Sequence, residues 1–432
     1  LKVNLNEESG MLDNLKASQY MFDIQAEHGY MFGDDILTTN GKITSSYDKI
    51  VAMYSSGFGN DVRNLILPEN EMEFLLTDIK ENKMYVKVKE LNISAKKSHD
   101  KVQVKGLKVY SKTGKKLVTL PSMTFYTNKE HDYFEGNYPE LGSFPNFGMF
   151  LGPGVVLETP FGSTLKLIPT VNMNGNLGFG GVARFKSGTN QTDFAYSSSK
   201  NTYYLKGYQR LDENVMLQYG ANSYMDEWFL GRRMAKYDAE LVYEDKGIIP
   251  SSIGDGLDLN FRHRFGFGYM HNSDFNRYGE SLDAANIGTT RTRYMAEAAQ
   301  NLYKYEDKEN RKALILSMVM QGSAALYGTG DTQFIGRIGP RLHTQYKYWM
   351  QDIAYFASAY QDNTPLKVYD TYRYGHGCIN IREALRLNKY VSLAWSGTIN
   401  VTGDSPNGKP FQECTFLVSL GPDDFKINLG YD

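Results

Sequence analysis

Leu257-Asp258-Leu259-Asn260-Phe261-Arg262-His263-Arg264-Phe265-Gly266-Phe267-Gly268-Tyr269 carries Leu, Phe and Tyr on one parity and Asp, Asn, Arg and Gly on the other. Successive side chains of a strand point to opposite faces, so the segment has one apolar and one polar face. The pattern returns in Phe425, Ile427, Leu429 and Tyr431 against Lys426, Asn428, Gly430 and Asp432. It is cleanest in Val391, Leu393, Trp395, Ile399 and Val401 against Ser392, Ala394, Ser396, Thr398 and Asn400. Turns rich in Gly, Asn and Asp separate such segments from residue 154 onward, where roughly sixteen strands are expected. Two-faced strands with no helix to cover them predict a large antiparallel transmembrane β-barrel, with lipid outside and water inside.

Composition agrees. The 432 residues are 41% hydrophobic, too few for a bundle of membrane helices, whereas half of every barrel strand faces water. Tyr 32 and Phe 23 against Trp 3 favours strands and membrane interfaces. A net charge of -2 with no basic tract excludes nucleic acid as the expected partner. Ala313 to Gly330 is uncharged, but Gln321, Gly322 and Ser323 at its middle make it a strand and turn rather than a membrane helix. Met295 to Tyr303 is helical by propensity and is read as strand. The chain lacks an initiator Met and starts and stops within strand patterns, so a fragment at both ends is expected, with no leader visible.

Residues 1–135 differ in character. Val86, Val88, Leu91, Ile93, Val102, Val104, Leu107 and Val109 lie between exposed Lys and Glu. Turn signals recur at Thr39-Asn40-Gly41, Ser56-Gly57-Phe58-Gly59-Asn60-Asp61 and Thr113-Gly114. A water-soluble jelly roll with an apolar inner face is expected here, and that face suits a sealed core, the usual case, or an open groove for acyl chains. Residues 136–153 hold Pro and Gly among aromatics and read as an irregular junction, leaving 154–432 to the barrel.

The polar parity of the barrel is cationic. Arg262, Arg264, Arg337, Arg341, Lys347, Arg382 and Arg386 fall opposite the apolar rows, and a lumen so lined could steer phosphates or anionic head groups. The alternative is a solvated lumen balanced by acids such as Asp258. Met225-Asp226-Glu227-Trp228-Phe229-Leu230-Gly231-Arg232-Arg233 reads first as an interfacial aromatic anchor and second as an inward plug. The links Asn272 to Thr289 and Gln361 to Gly375 read as loops on one rim. Cys378 and Cys414 fall on opposite faces, so no disulfide is expected. There is no Gly-x-Ser-x-Gly, His-Glu-x-x-His or Walker pattern, and no His/Cys set at metal-ligand spacing. Neither an enzyme nor a cofactor is expected.

The order of parts resembles the LPS-assembly protein LptD family (organic solvent tolerance, OstA-like). The resemblance rests on Asp100-Lys101-Val102-Gln103-Val104-Lys105-Gly106-Leu107-Lys108-Val109-Tyr110, then Lys116-Leu117-Val118-Thr119-Leu120-Pro121-Ser122. Tyr138-Pro139-Glu140-Leu141-Gly142 and Gly152-Pro153-Gly154-Val155-Val156-Leu157 look like the family's lead-in to its first barrel strands. The tracts around Met225 to Arg233 and Gly421-Pro422-Asp423-Asp424 look like those of divergent members.

The resemblance implies an outer-membrane barrel with its N-terminal domain in the periplasm. That domain would receive lipopolysaccharide from periplasmic jelly-roll bridge proteins, with acyl chains in the apolar groove. The lipid would leave through a lateral gate weakened by Pro153, Pro160 and Pro169, since a strand Pro removes a ladder hydrogen bond. Lipopolysaccharide, outer-membrane lipid and the bridge proteins are the implied partners, and a lipoprotein plug is left open. Two features depart from the family. No Cys precedes Cys378, so its interdomain disulfides have no counterpart, and the strand count is below that of large members. A porin with an accessory β-domain and a soluble β-rich binding protein are the alternatives.

Overall fold

The computed structural model describes residues 2–4, 9–19, 22–32, 35–45, 85–95, 99–111, 113–128, 133–145, 147–159, 162–251, 254, 257–273, 287–307, 309–388, 390–406, 408–421 and 427–431. Pro160, the turn at 56–61 and most of the tract at 421–424 lie outside them. The protein is all-β, built on two large antiparallel sheets.

The first sheet runs in sequence order through β1 (Lys2–Asn4), β2 (Ser9–Gln19), β3 (Phe22–Phe32), β4 (Asp35–Ser45), β5 (Tyr85–Ala95), β6 (Asp100–Tyr110), β7 (Lys116–Asn128) and β8 (Tyr133–Gly136). It is a meander, whereas a jelly roll crosses over between two sheets. A transverse row interrupts it. By the register on either side, Asn14, Glu27, Asn40, Lys89, Gly106 and Pro121 stand in line across β2 to β7. Asn14, Asn40 and Gly106 take left-handed backbone, with φ of 55°, 52° and 63°. The inward parity changes at this row. Val88 is buried before it and Leu91 after it, as are Val104 and Leu107. Residues from both sides share one core of Ile24, Ile43, Val88, Leu91, Ile93, Val102, Val104 and Leu107. The row is a crease in the register, and residues on both sides of it contribute to one core.

The second sheet begins inside the stretch expected to be irregular, with β9 (Glu140–Phe144) and β10 (Gly148–Gly152). Phe144 stacks on Phe150 and Phe147 meets both edge-on, which holds this Pro- and Gly-bearing stretch as a hairpin. β11 (Val155–Glu158), β12 (Thr164–Asn174), β13 (Asn176–Lys186), β14 (Asn190–Ser197) and β15 (Thr202–Arg210) follow. Then come β16 (Val215–Asp226), β17 (Arg232–Ile249), β18 (Leu259–Asn272), β19 (Gly288–Asp307), β20 (Lys312–Tyr327) and β21 (Thr332–Tyr346). β22 (Trp349–Asp362), β23 (Gly377–Asn388), β24 (Val391–Asn400), β25 (Phe411–Leu420) and β26 (Ile427–Tyr431) complete it. β11 to β26 are sixteen strands among the described residues, the number expected. Met295 to Tyr303 is strand within β19, and Ala313 to Tyr327 is strand within β20. Among the described residues no helix is long and apolar enough to cross a membrane.

The described residues form two compact units, one up to residue 209 and one from residue 210 onward. Within each, the strands of the second sheet have an inverted arrangement. On β21, Arg337 is 3% exposed beside Ile338 at 48%, and Arg341 is 0% exposed beside Leu342 at 39%. On β18, Arg264 is buried while Phe265, Phe267 and Tyr269 are exposed. In β12, Lys166 and Asn172 are buried while Leu167, Val171 and Met173 are exposed.

Candidate functional site

The site in the first unit begins at a break in the ladder. β10 and β11 both pair with β12 and are separated by Pro153-Gly154. Leu151 pairs with Val171 and Val155 with Leu167, so Pro153 falls opposite Pro169. A Cβ on Gly152 would lie 2.1 Å from the Pro169 carbonyl oxygen, so that carbonyl is turned toward the break. The N and O of a strand residue point to the same side, so the missing N–H of Pro169 faces the break as well. Neither proline can donate across it. On the other side Pro169 is paired with Gly181 of β13, so the weakness is confined to one seam. β11 is paired with β12, and the Val156 N–H is taken by Asn137 Oδ1 at 2.6 Å. Two of the expected gate prolines are therefore brought face to face.

The buried side of this wall has two chemistries. Phe147, Phe150, Ile168, Val182, Ala195 and Tyr204 form an apolar cluster. Beside it lie three carboxylates and three cations. Lys166 Nζ is 3.0 Å from Glu135 Oε1 and 2.5 Å from Glu140 Oε1, and sits 3.5 Å over the Tyr138 ring. Arg184 bonds Glu140 at 2.9 Å and Asp193 at 2.7 Å, and Lys186 is 3.3 Å from Glu135. Burial pushes the Glu135 carboxyl up, but Lys186, Lys166 and Arg184 outweigh it and hold it below the usual carboxylate range. Glu135 belongs to β8, so this cluster ties the end of the first sheet to β12 and β13. A second tie joins Lys101 Nζ to Glu158 of β11 at 2.8 Å, with buried His99 on the other oxygen at 3.0 Å.

The expected groove residues Val88, Leu91, Ile93, Val102, Val104 and Leu107 are all in the buried core of the first sheet, with Val86 and Val109 partly buried against it.

In the second unit the polar parity is packed rather than open. The Glu227 to Leu230 segment, expected first as an interfacial anchor, is turned inward, with Trp228, Phe229 and Leu230 buried in a single 3-10 turn. Cations hold it there. Arg262 lies 4.1 Å from the Trp228 ring, and Arg337 lies 5.4 Å from the Phe229 ring and donates to the Phe229 carbonyl at 3.3 Å. The 363–376 link, expected on a rim, also packs inward through Leu366, Tyr369, Tyr372 and Tyr374. Asp370 anchors it, 3.1 Å from Arg291 and 2.8 Å from Arg293. Glu227 bonds the same two arginines at 2.8 and 3.1 Å, and Glu240 bridges Arg291 and Arg264 at 3.1 and 3.0 Å.

Each expected cation has a definite place. Arg262 pairs with Glu297 at 2.8 Å, and Arg341 and Arg382 share Asp352 at 2.6 and 3.4 Å. Arg386 is partly buried and lies 5.4 Å from the Tyr348 ring. Lys347 is not on a strand face. It is exposed in the two-residue turn between β21 and β22, with left-handed φ of 53°, because the hairpin closes one residue earlier than the alternation implies. Sequence reading missed Arg291, Arg293, Glu227, Glu240 and Asp370. The alternation of Arg291 and Arg293 with Thr290 and Thr292 was a usable signal, whereas nothing local marks Asp370. Among the described residues neither Cys378 nor Cys414 is in a disulfide.

No family model and no curated protein matches this chain.

Proposed function

We propose that this protein is an outer-membrane translocon that receives lipopolysaccharide on its periplasmic β-domain and passes it to the outer leaflet through a lateral gate. The inverted second sheet supports the membrane placement. Arginine buried beside exposed leucine is costly in water, and it is the arrangement expected where lipid lies outside. The domain before that sheet takes the role of the OstA-like jelly roll, with one creased sheet in place of two.

The observation that carries the reading is the Pro153/Pro169 seam. A barrel that only sealed a pore would gain from continuous pairing at its first strands. Here the ladder lacks donors on both sides at one place, beside an apolar cluster and an ionic cluster that match the acyl and phosphate parts of such a lipid. A porin is the second reading, and the inward packing of Trp228, Phe229, Tyr369 and Tyr372 weighs against a wide solute path.

The test is depletion of the protein in its own cells, with surface lipopolysaccharide assayed beside permeability to large antibiotics. Loss of surface lipopolysaccharide with build-up in the periplasm is expected. Normal surface lipopolysaccharide with impaired small-solute uptake would replace this reading with the porin.

A further inference from the structure

Glu383 is a carboxylate on the exposed, apolar parity of β23, in step with Ile379, Ile381 and Leu385. The register sets it opposite Gln351 of β22 and Trp395 of β24. Trp349 Nε1 donates to one of its oxygens at 2.6 Å and Trp395 Nε1 donates to the other at 3.0 Å. The chain has three tryptophans, so two of them converge on this single acid. The third, Trp228, is buried inside. Glu383, Trp349 and Trp395 are all partly exposed, so the group is open to the outside. Trp349 opens β22 directly after the short Lys347-Tyr348 turn, which places the group at the rim where the strands turn tightly.

Among the described residues no Lys, Arg or His forms an ion pair with Glu383. The two indole donors orient the carboxylate and leave its charge unopposed. On a wall facing lipid such a charge is costly unless a counter-charge meets it. Indole rings beside a carboxylate also present faces that attract a cation. We infer that Glu383, Trp349 and Trp395 form an acid and indole box that binds the ammonium head group of a membrane phospholipid. The residue paired with Glu383 on β22 is the neutral Gln351, and β22 carries no Lys or Arg to compete with the ammonium. The inference rests on the membrane placement proposed above and on no step of lipopolysaccharide transfer.

The test uses the full chain carrying Trp228→Phe, so that fluorescence reports Trp349 and Trp395 alone. It is reconstituted into vesicles of phosphatidylethanolamine or of phosphatidylglycerol, and insertion is read by protease protection. A different emission in the ethanolamine lipid, lost in Glu383→Gln with insertion intact, is expected. Native mass spectrometry should show ethanolamine lipid retained over glycerol lipid, with retention falling about tenfold in Glu383→Gln. Trp395→Phe, which keeps a ring but removes one donor, should fall between. Insertion with no head-group preference, or a preference unchanged in Glu383→Gln, overturns the box and leaves an ordinary interfacial anchor. The same shift produced by soluble ethanolamine without the lipid overturns the lipid as its occupant. Failure to insert in either lipid overturns both the box and the membrane reading.

Discussion

Lys166 Nζ lies 3.0 Å from Glu135 Oε1, with both side chains shut away from solvent. Lys166 is on β12, one strand from the Pro153 break, and Glu135 is on the last strand of the first sheet. Removing Lys166 leaves Glu135 with Lys186 and Arg184, so part of the buried charge stays compensated. Lys166→Met should destabilise the protein by about 1–3 kcal/mol. Combining it with Glu135→Gln should restore much of the loss. Urea unfolding of the reconstituted protein checks both, and equal stability of Lys166→Met and wild type would refute the tie.

The same carboxyl sets an acid limit. Its folded value is below its unfolded one because the three nearby cations outweigh burial. The unfolded state thus binds more protons in acid, and stability rises with pH there. This contribution is complete above the ordinary carboxylate range of about 4.3 and is lost as pH falls through the lower folded value. Glu135→Gln should flatten the acid side of a plot of Tm against pH. An unchanged acid side would assign that limb to other groups.

Restoring donors at the seam should close it. Pro153→Val with Pro169→Val supplies two N–H groups where none exist, each worth about 0.5–1.5 kcal/mol when bonded. Hydrogen exchange at residues 151–155 and 167–171 should slow, and surface lipopolysaccharide should drop. Slower exchange with normal surface lipopolysaccharide would remove the seam from the transport path.

The inward 363–376 link should act as a stopper. Replacing residues 364–374 by a short Gly-Ser linker removes Leu366, Tyr369, Asp370, Tyr372 and Tyr374 from the interior. Single-channel recording in planar bilayers should then show a conductance much larger than that of wild type. Equal conductance would mean that other residues occlude the path.

Much of the fold was legible because strand alternation is a local signal. Phe265 and Phe267 against Arg264 is readable with no knowledge of the rest of the chain. The crease was also written locally, as Val86 and Val88 change parity to Leu91 and Ile93, and Val102 and Val104 to Leu107 and Val109. The site was less legible. The prolines could be named, but their opposition depends on the register of β12. Arg341 and Arg382 could be placed on one face, but their shared Asp352 lies on the strand between them. The inward turn of Trp228 depends on Arg262 and Arg337, distant in sequence, and an aromatic run alone reads the same at a membrane interface. Lys347 was misplaced because turn position is less sharply encoded than strand parity.

The line from Asn14 to Pro121 has a further consequence for the first sheet. A one-residue deletion within an ordinary strand turns every later side chain to the wrong face. Along this line the chain makes that turn itself, in step across six strands. The sheet carries a dislocation, comparable to a row where two halves of a crystal are offset by one lattice step. Tolerance to polar substitution, followed along β3, β5 or β6, should alternate with period two and skip a beat at Glu27, Lys89 and Gly106. Such a skip marks, from substitutions alone, where the inward parity of the sheet changes.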